Sequence, residues 1–173
     1  MADAFLPSLH KWMFDEPEKH ADVLAELKNV AGAYIMGRNM FGPIGEKYDK
    51  TWKGWWGPEP PYHAPVFVLT HKARESIEMK GGTTFHFITE GIDEALKQAK
   101  KVAGKKPIAI AGGASTVNQF LKAKIIDEIW LHIYPGTFGK GKRIFEGIED
   151  LKMEPVKVSG NNQVTHIKYK ILK

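Results

Sequence analysis

Three features of the sequence predict an α/β fold with a central mixed, mostly parallel sheet. Strand-length apolar runs recur at Ala33–Met36, Val66–Leu69, Thr84–Ile88, Pro107–Ala111 and Glu128–Tyr134. Between several of them lie segments with apolar residues at helical spacing, the alternation that builds parallel sheets. The chain then closes on two extended arms, Glu154–Ser159 and Gln163–Ile171, around Gly160-Asn161-Asn162, which reads as an antiparallel hairpin. Seven strands are expected in a single domain over residues 1–173.

Leu9, Trp12 and Met13 after Pro7 suggest a short first helix. A second is expected from Glu18 to Ala31, with Val23, Leu24, Leu27 and Val30 on one face and Gly32 as its stop. Phe41 to Ala64 is a loop rich in Gly, Pro and aromatic residues, too long for an idle connection, so it either packs as a cover or is functional. Ile92, Ala95, Leu96, Ala99 and Val102 mark a helix closing at Gly104. Val117, Phe120, Leu121 and Ile125 mark another, entered directly from Gly112-Gly113. In the last arm Thr165, Ile167, Tyr169 and Ile171 alternate with polar residues, the pattern of a half-buried strand.

At 173 residues, with 43% hydrophobic and 26% charged residues, the composition is that of a globular domain able to bury a core. No window reaches a membrane-spanning length, no signal-peptide pattern opens the chain, and there is no cysteine, so a cytoplasmic location is expected. The net charge of +5 comes from 25 basic against 20 acidic residues, and the lysines are scattered. That distribution argues against nucleic-acid binding and suits an anionic small ligand. The histidines show no metal-ligand spacing, so no metal is expected.

Ligands of open α/β sheets sit beyond the carboxyl ends of strands, and three such ends have suitable chemistry. At Gly112, Gly113, Ala114, Ser115 and Thr116 a strand turns into a helix whose N-terminal N–H groups, with two hydroxyls, suit a diphosphate. The same stretch also reads as a tight turn with no ligand. At Gly37, Arg38, Asn39 and Met40 a glycine allows close approach and a guanidinium fork matches phosphate oxygens. Leu69, Thr70, His71 and Lys72, with Arg74, place a hydroxyl and cations at the third end. Three clusters, one per strand end, match a dinucleotide with an additional phosphate, NADPH rather than NADH.

These residues carry a resemblance. Tyr34-Ile35-Met36-Gly37-Arg38-Asn39-Met40-Phe41 resembles the strand-loop of dihydrofolate-reductase-like proteins. Pro65–His71, Gly81–Phe85, Ile110–Ala114, Asp127–Pro135 and Gly139–Phe145 follow in the order of a subgroup related to the reductase domain of the bifunctional riboflavin-biosynthesis deaminase-reductase. The resemblance implies a three-layer fold, a homodimer, and an NADPH-dependent reductase acting on a pterin- or pyrimidine-like heterocycle. It implies that Gly37, Arg38 and Asn39 meet the cofactor phosphates, that Thr70 to Arg74 lie by the adenosine 2′-phosphate, and that Gly112 to Thr116 lie on the diphosphate. Family members begin with a strand lying between the equivalents of Ile108–Ala111 and Ile129–Tyr134, and that strand is not found in this sequence. The expectation is a truncated form of a longer product, or a sheet completed otherwise.

The catalytic acid is unknown. Asp22 and Glu26, on the helix before the first strand, are candidates that also read as surface charges. Trp52, Trp55 and Trp56 could stack on a planar substrate or pin the loop, and Pro135 could line the substrate side. The competing class is a non-catalytic nucleotide-binding or interaction protein on the same fold.

Overall fold

The computed structural model describes residues 6–28, 30–43 and 51–173, with side chains from residue 9 onward. The chain packs as two compact units, residues 28–120 and residues 1–27 with 121–173.

The first of these units carries a five-stranded sheet in the order β3-β4-β2-β1-β5. Its strands are β1 (Ala33–Gly37), β2 (Pro65–Leu69), β3 (Ile77–Glu78), β4 (Thr84–Ile88) and β5 (Ile108–Ile110). β4, β2, β1 and β5 are parallel, and only the two-residue β3 runs against its neighbour. β3 raises the strand number from the expected seven to eight among the described residues. Its Ile77 and Glu78 are too short a run to carry a periodicity of their own.

β1 and β2 read as unbroken apolar runs because both faces of this sheet are covered. Tyr34, Met36, Val66, Val68 and Phe85 form a core with Phe41, and Trp52 and Tyr62 of the long loop pack against it. Ile35 and Phe67 alternate onto the opposite face, which is packed by helix α4 (Ile92–Ala103). Ala95, Ala99 and Ala103, four residues apart, are the buried stripe of α4 and let it approach closely. Gly32 is part of that approach: a β-carbon there would stand 2.6 Å from the Ala103 carbonyl oxygen.

The second unit holds an antiparallel sheet, β6-β8-β7, built from β6 (Glu128–Ile133), β7 (Lys152–Gly160) and β8 (Thr165–Leu172). The expected hairpin is therefore β7–β8, with β6 added on its free side as a separate sheet. A bulge between Pro155 and Lys157 falls on edge strand β7, where a proline breaks no interior ladder. Helix α1 (Leu6–Phe14), a 3₁₀ turn (Pro17–His20) and α2 (Ala21–Leu27) complete the unit. The second helix is thus shorter than the sequence pattern suggests. Pro17 at its start favours the tighter turn, and α2 ends at Leu27 rather than Ala31. Trp12, Leu24 and Val164 form this unit's apolar cluster.

The polar face of β8 departs from expectation in part: Lys170 is exposed, but the two residues before it on that face are covered. His166 is fully buried and Lys168 is mostly covered, both paired to groups on the helical side.

Among the described residues β5 has a strand partner on one side only, and so does β6. No described helix is long and apolar enough to cross a membrane.

Phe85, 1% exposed, meets Phe41 edge-on at 5.0 Å. Phe85→Ala is expected to cost about 3–5 kcal/mol through the lost contacts and the cavity. Val102→Ala, at a site 51% exposed, should stay within about 0.5 kcal/mol. Urea unfolding midpoints check both.

Candidate functional site

Parallel register brings the three predicted strand ends onto one edge. Gly37, the last residue of β1, pairs with Leu69, the last of β2. On its other side Gly37 N–H donates to the Gly112 carbonyl at 2.8 Å, and Ala111 N–H donates to Ile35 O at 2.8 Å. The β1–β5 ladder thus continues into the glycine turn. Thr70 N–H donates to Ile88 O at 3.0 Å, which carries the β2–β4 pairing one residue past the strand. Gly112, Gly37 and Leu69–Thr70 are therefore successive along one rim, and two strand spacings put its ends about 10 Å apart.

The rim is shaped by backbone rather than by bulk. Gly112 has φ +102°, a conformation side chains disfavour, and the Gly112–Gly113 peptide is cis. Helix α5 (Ala114–Lys122) starts directly after this turn, and Thr116 and Val117 N–H both donate to Gly113 O. With Thr116 and Val117 N–H engaged in this way, the Ala114 and Ser115 N–H groups are the first-turn donors left at the rim. Ser115 is exposed beside them.

Thr116 departs from expectation. It is 5% exposed, and a β-carbon on Gly37 would lie 2.5 Å from its Oγ1. Its hydroxyl packs against the end of β1, so its role is to let strand and helix meet, and Ser115 is the hydroxyl left facing outward.

Arg38 and Asn39 follow Gly37 in the short helix α3 (Arg38–Phe41). Arg38 Nη1 donates to Pro43 O and, at 3.2 Å, to Asn39 Oδ1, which orients the guanidinium along the loop. Met40, 42% exposed, lies with its Cγ and Sδ against the Gly112-Gly113 turn. At the β2 end Lys72 N–H donates to Thr70 Oγ1 at 3.2 Å, closing a hydroxyl turn that leaves His71 and Lys72 exposed.

Arg74 is directed elsewhere than the sequence suggests. Its Nη2 donates to Trp52 O at 2.6 Å, and its guanidinium stands 5.2 Å from the Phe87 ring centroid and 5.7 Å from that of Phe41. It ties the long loop down by a charge-assisted bond and ring contacts. Lys72 and His71 are then the cationic and titratable side chains of this turn that face outward.

The three loop tryptophans divide in role. Trp52 packs on the core and donates Nε1–H to Phe41 O at 2.8 Å, the pinning reading. Trp55 meets Trp52 edge-on at 4.7 Å and is 56% exposed. Trp56, 43% exposed, donates to the Tyr62 hydroxyl at 3.2 Å. Tyr62 crosses the Tyr34 ring at 5.0 Å, and burial pushes both phenols above their ordinary value.

Asp22, Glu26 and Pro135 belong to the other unit. Asp22 lies 3.0 Å and Glu26 2.7 Å from Lys157 Nζ, and the hydrogen bond from Lys157 holds both carboxyls below their ordinary range. A proton donor at neutral pH needs the opposite shift. Of the two readings of Asp22 and Glu26, the structure favours surface charges, in an ion network that includes Lys168 and Glu128. Pro135 is exposed just after β6.

With this geometry in view, the family model of the RibD C-terminal domain matches residues 8–167. The chain belongs to that family. A Bacillus subtilis relative, the uncharacterized protein YyaP, is 37% identical over 150 residues, 82% of this chain and 74% of its own. Among solved structures, a Shewanella sp. PV-4 protein provisionally assigned to riboflavin biosynthesis superposes with a TM-score of 0.63 at 21% identity. That match covers 86% of this chain and 78% of the other. Dihydrofolate reductase from Enterococcus faecalis, solved in complex with NADP(H) and RAB-propyl, gives 0.56 at 17% identity, covering 90% and 83%. At these identities the two structures establish a shared fold. That fold agrees with the dihydrofolate-reductase-like expectation.

Within this RibD-type domain the Gly37–Thr116 contact can be tested directly. Gly37→Ala should destabilise by about 1–3 kcal/mol through overpacking. Adding Thr116→Ala removes the obstructing hydroxyl, so the double variant should recover part of that loss. Urea unfolding of the four-member cycle reads the coupling.

Proposed function

We propose that this protein is an NADPH-dependent reductase that passes hydride to a small planar heterocycle of the pterin or pyrimidine class. The observation that carries the reading is the common rim: the glycine turn with the α5 N-terminus, the end of β1, and the Thr70–Lys72 turn stand side by side on one sheet edge. Membership of the RibD C-terminal domain family and the fold shared with an NADP(H)-bound dihydrofolate reductase support it.

The donor set suits a polyanionic, extended ligand. Gly112 and Gly113 project no side chain where a diphosphate would approach, and the Ala114 and Ser115 N–H groups with the Ser115 hydroxyl would supply donors along a favourable helix dipole. Lys72 and His71, one strand further along, would meet a 2′-phosphate and so distinguish NADPH from NADH. The cofactor, when bound, supplies the hydride.

The chain's own contribution is alignment of two rings and exclusion of water. Trp55 and Trp56, exposed on the loop whose Trp52 and Tyr62 cover the β1–β2 face, offer flat surfaces for the heterocycle. Among the candidates weighed, none is a poised acid, since Asp22 and Glu26 are held ionised. The proton that accompanies hydride is then supplied by solvent or by the substrate itself.

Titration of tryptophan fluorescence should show NADPH binding well ahead of NADH. Lys72→Ala is expected to weaken NADPH roughly tenfold, the loss of one charge-assisted contact, and to leave NADH unchanged. Loss of reduced-nicotinamide absorbance with a dihydropterin or an aminouracil would demonstrate turnover. Failure of both nucleotides to bind would remove the proposal, and binding without turnover of either substrate class would leave only its nucleotide half.

A further inference from the structure

Outside this site, three histidines far apart in sequence meet ring to ring. His20 belongs to the 3₁₀ turn, His132 to β6 and His166 to β8. His166 Nε2 lies 2.9 Å from His20 Nδ1, and His166 Nδ1 lies 2.7 Å from His132 Nδ1. At the far end Asn161 Nδ2 lies 3.1 Å from His20 Nε2. Trp12 walls the cluster, with ring centroids 5.7, 4.9 and 4.6 Å from His20, His132 and His166. Trp130 stacks on His132 at 5.9 Å. His20 is 3% exposed and His166 is wholly buried, whereas His132, at the end of the row, reaches the surface.

Hydrogen-bond accounting gives this row a direction. Gln163 N–H donates to Asn161 Oδ1 at 2.8 Å, so that oxygen is an acceptor and the amide NH₂ faces His20. Asn161 therefore donates to His20 Nε2. A neutral imidazole carries one N–H, so His20 bears it on Nδ1 and donates to His166 Nε2. His166 then bears its proton on Nδ1 and donates to His132 Nδ1, which leaves the His132 N–H on Nε2. Every acceptor nitrogen in the row is occupied. One more proton has nowhere to go without breaking a link.

We propose that His20, His166 and His132 form a one-way hydrogen-bonded chain, polarised by Asn161, that fastens the Pro17–His20 turn to the β6–β8 pair and releases it in acid. Burial supports this by holding His166 below its ordinary value; His132 is exposed as a residue, but its ring lies between Trp12 and Trp130, and that desolvation with the neighbouring His166 takes it down to about 4. The charged groups around the row are themselves paired and close to balanced. Asp22 and Lys157 act on His166 in opposite directions and lie 3.0 Å apart. Glu26 bridges Lys157 and Lys168, Lys168 also meets Glu128, and Glu16 of the turn pairs with Lys19.

The sign follows from linkage. His132 and His166, held below the ordinary histidine value when folded, bind more protons in the open state. Stability of the turn is therefore full above about 6.5, the ordinary histidine value, and falls as pH drops toward 4. For each proton taken up, the opening equilibrium rises about tenfold per pH unit in that window.

The test uses the intact chain with ¹⁵N-labelled histidine. At pH 7.5 imidazole NMR should find His20 and His166 protonated on Nδ1 and His132 on Nε2; any other set overturns the assignment. Asn161→Asp replaces the donor by an acceptor, so all three tautomers should invert. A folded variant whose tautomers do not change would sink the idea. Should the variant fail to fold, the wild-type tautomers and acid titration still decide. The protection factor of the amides at residues 18–20, observed exchange corrected for the slower intrinsic exchange at lower pH, should fall about tenfold per pH unit from 6.5 to 4, while the β2 core at Val66–Val68 keeps its protection. Flat protection, or loss of both together, would refute acid release.

Discussion

The close meeting of β1, β5 and α5 at a single glycine contact is what the proposed site depends on. Gly37 N–H is bonded to the Gly112 carbonyl, and the Gly37 α-carbon leaves just enough space for the Thr116 hydroxyl. A side chain at position 37 would separate strand from helix, and the α5 N-terminus would no longer open beside the end of β1. The parallel pairing of β2 on the other side then sets the Thr70–Lys72 turn at a fixed distance along the edge. The donor groups reach one rim because hydrogen-bonded strands keep their spacing, a positioning that flexible loops could not maintain.

The long aromatic loop is held by two kinds of attachment. Trp52 combines core packing with a bond to Phe41 O, and Arg74 adds a charge-assisted bond to Trp52 O over the Phe41 and Phe87 rings. These buried and half-buried contacts leave Trp55 and Trp56 exposed on a supported loop. In the other unit, the polar side of the antiparallel sheet takes the place of an apolar interface. His20, His132 and His166 satisfy one another's ring nitrogens, and Lys157 and Lys168 satisfy Asp22, Glu26 and Glu128 while approaching the Trp130 ring. Removing His20 or His132 would leave a nitrogen of the buried His166 without its partner, whereas the ion pairs lie at the surface and cost little to break.

The legible parts of the sequence were those with local signals. β1, β2, β4 and β5 announced themselves as strand-length runs, and α4 by Ile92, Ala95, Leu96, Ala99 and Val102 at helical spacing, because burial on both faces or on one stripe patterns the chain. The glycine turn before α5 was legible for the same reason, since a backbone conformation closed to side chains leaves glycine at a particular place. What failed were readings of side-chain direction. Arg74 looked like a rim cation and is a loop anchor, Thr116 looked like a phosphate donor and is a packing hydroxyl, and His166 and Lys168 on the polar side of β8 are covered rather than solvent-facing. The histidine row left no trace in the sequence, because its members are separated by 146 and 34 positions.

By itself, then, the sequence determined the kind of fold, the family, and where along the chain backbone would be free of side chains to face a ligand. These are consequences of periodicity and of conformational restriction, which act over a few residues. The tertiary structure alone decided that the three strand ends share one edge, which cations face outward from it, and which buried polar groups find one another. Those outcomes rest on pairing register and on the partner each polar atom meets when it leaves water, and both are set by residues distant in the chain.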